Sequence, residues 1–105
     1  MAEEIQGTRF EAIILAFLYI KRDRGVDWDE LEQVADRLSS SNVRSRLVFP
    51  PSDPNEVLDY VRFLLKLGVV EERDGRLYLY VNRLSPFMRR VIKELAERVD
   101  GGRFF

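Results

Sequence analysis

Apolar positions recur along most of this chain at the three- and four-residue spacing of an amphipathic helix, and the stretches that break this rhythm mark the joints. Phe10, Ile13, Ile14 and Phe17 fall on one face of a first helix expected over about Arg9–Arg22. Thr8-Arg9-Phe10-Glu11 has the spacing of a capping box, in which the threonine oxygen and the glutamate satisfy amide donors at a helix start. Ala12, Leu15, Ala16 and Tyr19 make the opposite face apolar as well, so this helix is expected to be buried on two sides. Either the last helix of the chain covers the second face or another subunit does. After Gly25-Val26, the run Asp27-Trp28-Asp29-Glu30 repeats the capping logic, and Leu31, Val34, Ala35 and Leu38 carry a second helix over about Trp28–Leu38. Val26 is a candidate for a short strand paired with a later hairpin.

The rhythm lapses over 39–52. Connections between neighbouring helices usually take a few residues, so this stretch reads as an insertion. Ser39-Ser40-Ser41-Asn42 has turn character, Val43 to Phe49 reads as an extra strand or arm, and Pro50-Pro51 stiffens the entry to the next helix. Asp53-Pro54 then supplies an N-cap with proline in the first helical position, and Gly68 supplies a left-handed stop after Leu67. The core face of this third helix is expected to hold Val57, Leu58, Val61, Leu64 and Leu65, leaving Asn55, Glu56, Asp59, Arg62, Phe63 and Lys66 facing away. Asp74-Gly75 predicts a two-residue hairpin turn that sets Val70 opposite Leu79 and Glu72 opposite Leu77. Val70, Leu77, Leu79 and Val81 would then look inward, and Glu71, Tyr78 and Tyr80 outward. A last helix starts at Ser85-Pro86, carries Phe87, Met88, Val91, Ile92, Leu95 and Val99 as its apolar stripe, and ends at Gly101-Gly102.

At 105 residues the chain is expected to be one domain, with an ordered core over about 8–99 and a loose tail over 100–105. Hydrophobic residues at 46% and charged residues at 33% suit a globular protein and argue against extended disorder. The longest apolar run, Ala12 to Ile20, is too short to cross a bilayer and follows Glu3 and Glu4 rather than a basic leader, so no membrane association and a cytoplasmic location are expected. The chain has no cysteine and no histidine, which excludes disulfides, thiolate metal sites and imidazole chemistry. No glycine-rich phosphate loop, nucleophile elbow or paired catalytic carboxylate is visible, so neither an enzyme nor a cofactor is expected. A small-molecule pocket between the first helix and the connector would leave little trace in sequence. Abundant mixed charge without cysteine hints at a thermophilic source.

The stretch from Leu64 to Tyr78, with its Gly68 stop, its Val69-Val70-Glu71-Glu72-Arg73 strand and its Asp74-Gly75 turn, resembles the recognition-helix-to-wing segment of winged helix-turn-helix proteins common among archaeal and bacterial regulators. Helix order extends the resemblance over about 8–99. It implies an α+β fold of four helices with a hairpin wing, here with a long connector between the second and third helices. It also implies duplex DNA binding, with the third helix in the major groove and the wing tip on phosphate or in the minor groove. On this chain the implied contacts are Asn55, Arg62 and Lys66 of the third helix, Arg73 and Arg76 at the tip, and Arg44 and Arg46 as a basic arm if the connector is a strand. Glu56 and Asp59 on the same helix face repel phosphate, although an acidic side chain can accept from cytosine. A net charge of −1 and nine acids against five bases in residues 1–40 also oppose an electrostatic DNA binder.

A second resemblance is to winged helices that have become protein-binding parts of larger assemblies. It uses Tyr60, Phe63, Tyr78 and Tyr80 as the interface and needs no basic surface. The partners in view are therefore double-stranded DNA or a protein, with a homodimer through the first and last helices as a further expectation. Arg73 and Arg76 should face each other across the turn, either as a phosphate contact or neutralised by Glu72 and Asp74. Arg89, Arg90 and Lys93 form the densest basic cluster; Arg90 and Lys93 each have a glutamate four residues later, Glu94 and Glu97, so the cluster is a binding patch or a salt-bridged surface. Trp28 reads as a lid on the core, and the acids Asp27, Asp29 and Glu30 fit the dipole of a helix start better than a metal site.

Overall fold

The computed structural model describes residues 5–101, and over them the helical rhythm becomes five α-helices around a small sheet. In order these are α1 (Phe10–Ile20), β1 (Val26–Asp27), α2 (Trp28–Leu38), α3 (Ser41–Arg44), α4 (Pro54–Leu67), β2 (Val70–Arg73), β3 (Arg76–Leu79), a 3-10 turn (Val81–Arg83) and α5 (Pro86–Gly101). The sheet is antiparallel, in the order β1-β3-β2, with Val26 opposite Leu77. Its hairpin has the expected register, Val70 against Leu79 and Glu72 against Leu77. Asp74 (φ 54°) and Gly75 (φ 77°) both take the positive φ that a tight two-residue hairpin turn requires.

Local signals explain the best-defined helices. Asp27 and Glu30 form a reciprocal capping box at the start of α2. Asp53 accepts from the Glu56 amide, proline opens α4, and Gly68 at φ 78° closes it. The core gathers Val26, Leu77 and Leu79 of the sheet with Leu31 and Leu38 of α2, Val57 and Val61 of α4, and most of α1. α1 is buried from Ile13 to Leu18 without a break, and its second apolar face is covered within the chain by α5. Tyr19 and Ile20 border Ala96 and Glu97 of that helix. No second subunit is needed to bury α1, which removes that part of the dimer expectation.

Several expectations are corrected. Thr8 does not cap α1: Arg9 is the N-cap residue and makes no side-chain cap bond, while Glu11 pairs with Arg9 at 3.1 Å. Thr8 instead forms a parallel bridge with Leu47, flanked by Gly7 N–H to Arg46 O (2.9 Å) and Val48 N–H to Thr8 O (3.1 Å). With Ile5 also buried, the ordered part begins before residue 8. The connector holds the short helix α3 rather than a strand, because Val43 and Leu47, four residues apart, are the positions it buries. Arg44 and Arg46 therefore do not share a strand face; Arg44 donates to the Pro51 carbonyl and Arg46 to Asn42. Phe87 is 66% exposed, so the buried stripe of α5 begins one residue later and runs through Ile92, Leu95, Ala96 and Val99. Val81 leaves the hairpin for the 3-10 turn, and both it and Leu65 are only half-buried. α5 continues to Gly101, into the stretch expected as tail; 102–105, with Phe104 and Phe105, lie outside the described residues. No helix among the described residues is long and apolar enough to cross a membrane.

Candidate functional site

At 100° per residue, the solvent side of α4 divides into two flanks. Asn55, Asp59, Arg62 and Lys66 lie on one, and Tyr60, Phe63 and Leu67 on the other. On the polar flank, Arg62 is paired with Asp59 at 2.8 Å, and its guanidinium lies 5.9 Å from the Trp28 ring centre. The Trp28 indole N–H donates to Glu72 at 2.9 Å, so the expected core lid also ties the start of α2 to the hairpin. Lys66 has no partner among the described residues, and Asn55 is exposed. Asp59, Arg62, Phe63 and Lys66 surround a hollow of about 300 Å³.

The hairpin tip places Arg73 opposite Arg76, as the turn predicts. Neither Glu72 nor Asp74 neutralises them. The two cations are held by other groups: Arg73 stacks 4.2 Å over the Tyr78 ring, and Arg76 donates to the Arg24 and Gly25 carbonyls at 3.4 Å. Further along, the Tyr80 hydroxyl donates to Glu71 at 2.8 Å, while Arg83 stacks on Tyr80, pairs with Glu71 at 3.2 Å and donates to the Gly68 carbonyl at the end of α4. The Tyr80 hydrogen bond, followed by Arg83, holds the Glu71 carboxyl below the usual carboxylate range. Tyr78 and Tyr80 are thus committed to bracing the hairpin and share no ring contact with Tyr60 or Phe63; the four aromatics expected as one interface fall in two places.

The apolar flank is continuous. Tyr60 is half-buried, edge-on to Phe10 at 6.1 Å and beside Phe63 at 6.3 Å. Burial, reinforced by Glu11, pushes its phenol up to about 12. The Arg9 guanidinium, paired with Glu11, lies 5.3 Å from the ring of Phe49, while Tyr60, Phe63 and Leu67 follow one another along the outer side of α4. Phe49 is 71% exposed, Phe63 52% and Leu67 58%. Phe49 sits at φ 52°, a left-handed conformation that bulky residues rarely adopt. Sequence reasoning found Tyr60 and Phe63 but missed Phe49 and Leu67. Leu67 carried a usable signal, four residues after Phe63 on the same helix; Phe49 carried only its place before Pro50-Pro51.

Elsewhere, Arg89, Arg90 and Lys93 are exposed on α5, and the expected pairs Arg90–Glu94 and Lys93–Glu97 do not form. Asp27 and Glu30 are used in the cap, and a hydrogen bond from Arg24 holds the Glu30 carboxyl below its ordinary range. No group of three or more acids among the described residues is arranged to hold a metal ion. Two hollows against α1 open toward α2 and α5 rather than the connector; at about 170 Å³, lined by Phe17, Lys21, Glu30, Gln33, Val34 and Arg37, and about 190 Å³, lined by Tyr19, Ile20, Arg22, Ala96 and Glu97, both are smaller than ordinary ligand pockets. Comparison with protein-family models, curated protein sequences and solved structures finds no match to this chain.

Proposed function

We propose that this chain is a winged helix-turn-helix module that serves as an adaptor or subunit of a larger assembly, docking a protein partner on the apolar flank of α4. The winged-helix reading rests on the order α1-β1-α2-α4-β2-β3 and the β1-β3-β2 sheet, in which α4 takes the place of a recognition helix and the β2–β3 hairpin that of a wing. The partner reading is carried by one observation, the outward run of Tyr60, Phe63 and Leu67 on α4, with the exposed Phe49 beside the Arg9 guanidinium. A contiguous exposed apolar patch with aromatic anchors is the usual composition of a protein-binding hot spot and suits a wet, charged DNA groove poorly. The left-handed backbone at Phe49 supports the same reading, because strain that holds an aromatic side chain in solvent is common at binding sites.

Duplex DNA is the second reading, favoured by Lys66 without a partner and by Arg73 and Arg76 together at the hairpin tip, with Arg62 and Asn55 alongside. It ranks second because Asp59 already matches Arg62 and the chain carries a net charge of −1. Two variants separate the readings, F63S/L67S and K66E/R73E/R76E. Each is titrated against random-sequence duplex DNA at about 50 and 200 mM salt, the range over which phosphate contacts weaken strongly. Each is also scored for a cross-linked complex of defined stoichiometry in extracts of the source cells. The complex is expected to fall at least about tenfold in F63S/L67S, as for hot-spot loss, and to survive the charge reversal. Salt-sensitive DNA binding that the charge reversal abolishes and F63S/L67S keeps would reject the protein reading.

A further inference from the structure

The carboxylates on and beside the outer side of α4 each hold a donor already. Asp59 is paired with Arg62 and Glu11 with Arg9, Glu72 accepts from the Trp28 indole, and Glu71 accepts from Tyr80 and Arg83. At the N-terminal end of the helix, Asp53 and Glu56 accept from the Glu56 and Ser52 amides. Lys66 differs from all of these. It is exposed, one turn from Phe63 and next to Leu67, and it makes no hydrogen bond, ion pair or ring contact among the described residues. The hollow of about 300 Å³ bounded by Asp59, Arg62, Phe63 and Lys66 therefore has an apolar wall on one side and an unmatched ammonium on the other.

We propose that the partner docked on α4 presents an amphipathic helix, with its apolar stripe along Tyr60, Phe63 and Leu67 and a carboxylate beside that stripe, seated in the hollow against Lys66. This rests on the protein-docking reading of the flank and names the chemistry of its occupant. The three apolar positions stand at i, i+3 and i+7, a row of about 10 Å. That is the spacing at which a second helix packs its own side chains against a first. An extended segment laid on α4 would leave its N–H and C=O groups without protein partners, whereas a helix satisfies them internally. The sign of the charge follows from what is already paired. A carboxylate gains Lys66 without displacing any bond in place. A lysine or arginine of the partner would find Asp59, Glu71 and Glu72 each holding a donor, and Lys66 would repel it. A phosphate backbone would use Lys66 but leave Phe63 and Leu67 facing water.

A phage-displayed library of helical peptides, randomised along one stripe and its flanking positions, tests this by selection on the full chain and on F63S/L67S, K66Q and K66E. The substituted positions are exposed, and circular dichroism verifies the fold of each variant. Peptides recovered on the parent are expected to carry large apolar residues at i, i+3 or i+4, and i+7, with Asp or Glu beside them. Those recovered on K66E should exchange the acid for Lys or Arg, and F63S/L67S should recover neither pattern. In fluorescence anisotropy, a peptide enriched on the parent should bind K66Q about two- to fivefold more weakly, the reach of one exposed ion pair. It should bind K66E more weakly still, and the differences should shrink in about 0.5 M salt. An apolar stripe with no preference for acid, or a preference that K66E leaves unchanged, overturns the carboxylate while the docking reading stands. Failure to recover any stripe that depends on Phe63 and Leu67 overturns both. Salt-sensitive binding of random duplex DNA, lost in K66E while no peptide is recovered, would assign Lys66 to phosphate instead.

Discussion

Gly25 is constrained twice over. Its φ of +76° is left-handed, and an added Cβ would lie 2.8 and 2.9 Å from two ring atoms of Tyr78 and 3.1 Å from Cβ of Arg76. Gly7 has nearly the same φ, +74°, with nothing within 4 Å, so it isolates the backbone cost from the packing cost. Gly7→Ala should lose about 1–2 kcal/mol, the left-handed penalty alone. Gly25→Ala should lose about 2–4 kcal/mol, because overpacking against a braced ring adds to it. Urea unfolding of the two variants decides, and equal losses would mean that the Tyr78 ring yields freely. Tyr60 gives the pH dependence at this scale. Its phenol is held up to about 12 from 10.0, chiefly by burial. The folded state keeps the proton that the unfolded chain releases at the ordinary value, so the contribution is full below about pH 10 and is lost as pH rises toward about 12. Thermal melts at pH 9 and pH 11 should show a steeper alkaline loss for the parent than for Tyr60→Phe, and parallel losses would count against that shift.

Elements were legible where their signals were local. Asp27 with Glu30, Asp53 with Pro54, and Asp74-Gly75 each find their partners within four residues, so α2, α4 and the hairpin follow from short windows of sequence. Thr8 also had the right spacing, but the competing partner that captured it, Leu47, lies far along the chain and no window contains both. The same limit hid the partners of Arg73, Arg76 and Arg83, and with them the division of the four aromatics into two places. Phe87 failed for another reason: an apolar residue in the first turn matches a helical stripe by type, while a 100° step decides whether it reaches the core. That step is testable by substitution on the same helix. Phe87→Ala should change stability by no more than about 0.5 kcal/mol, as for an exposed position. Ile92→Ala, 1% exposed on the same helix, should cost about 2–5 kcal/mol. Comparable losses in denaturant titrations would place Phe87 in the core after all.

At the scale of the whole molecule, α1 organises everything else, because it is an apolar helix with no solvent face from Ile13 to Leu18. One side meets the three-element group of α2, α4 and sheet, where Phe10 touches Tyr60; the other side meets α5. The outer sides of α4 and α5 are therefore carried by helices that pack on different sides of α1. α5 covers that side of α1, even though it follows the hairpin and adds nothing to the sheet. Ile92, Leu95 and Val99 are all at most 2% exposed. At about 1.5–3 kcal/mol for each fully buried side chain, their loss removes roughly 5–9 kcal/mol. A whole domain of ordinary stability has only about 5–15 kcal/mol. Removing α5 also uncovers the second apolar face of α1, which would then gather on itself or on other chains. A chain ending at Leu84 should therefore lose its cooperative thermal transition and bind a hydrophobic dye strongly. A sharp transition close to that of the full chain, without dye binding, would mean that α1, α2, α4 and the sheet form a self-sufficient core and that α5 is an accessory laid over it.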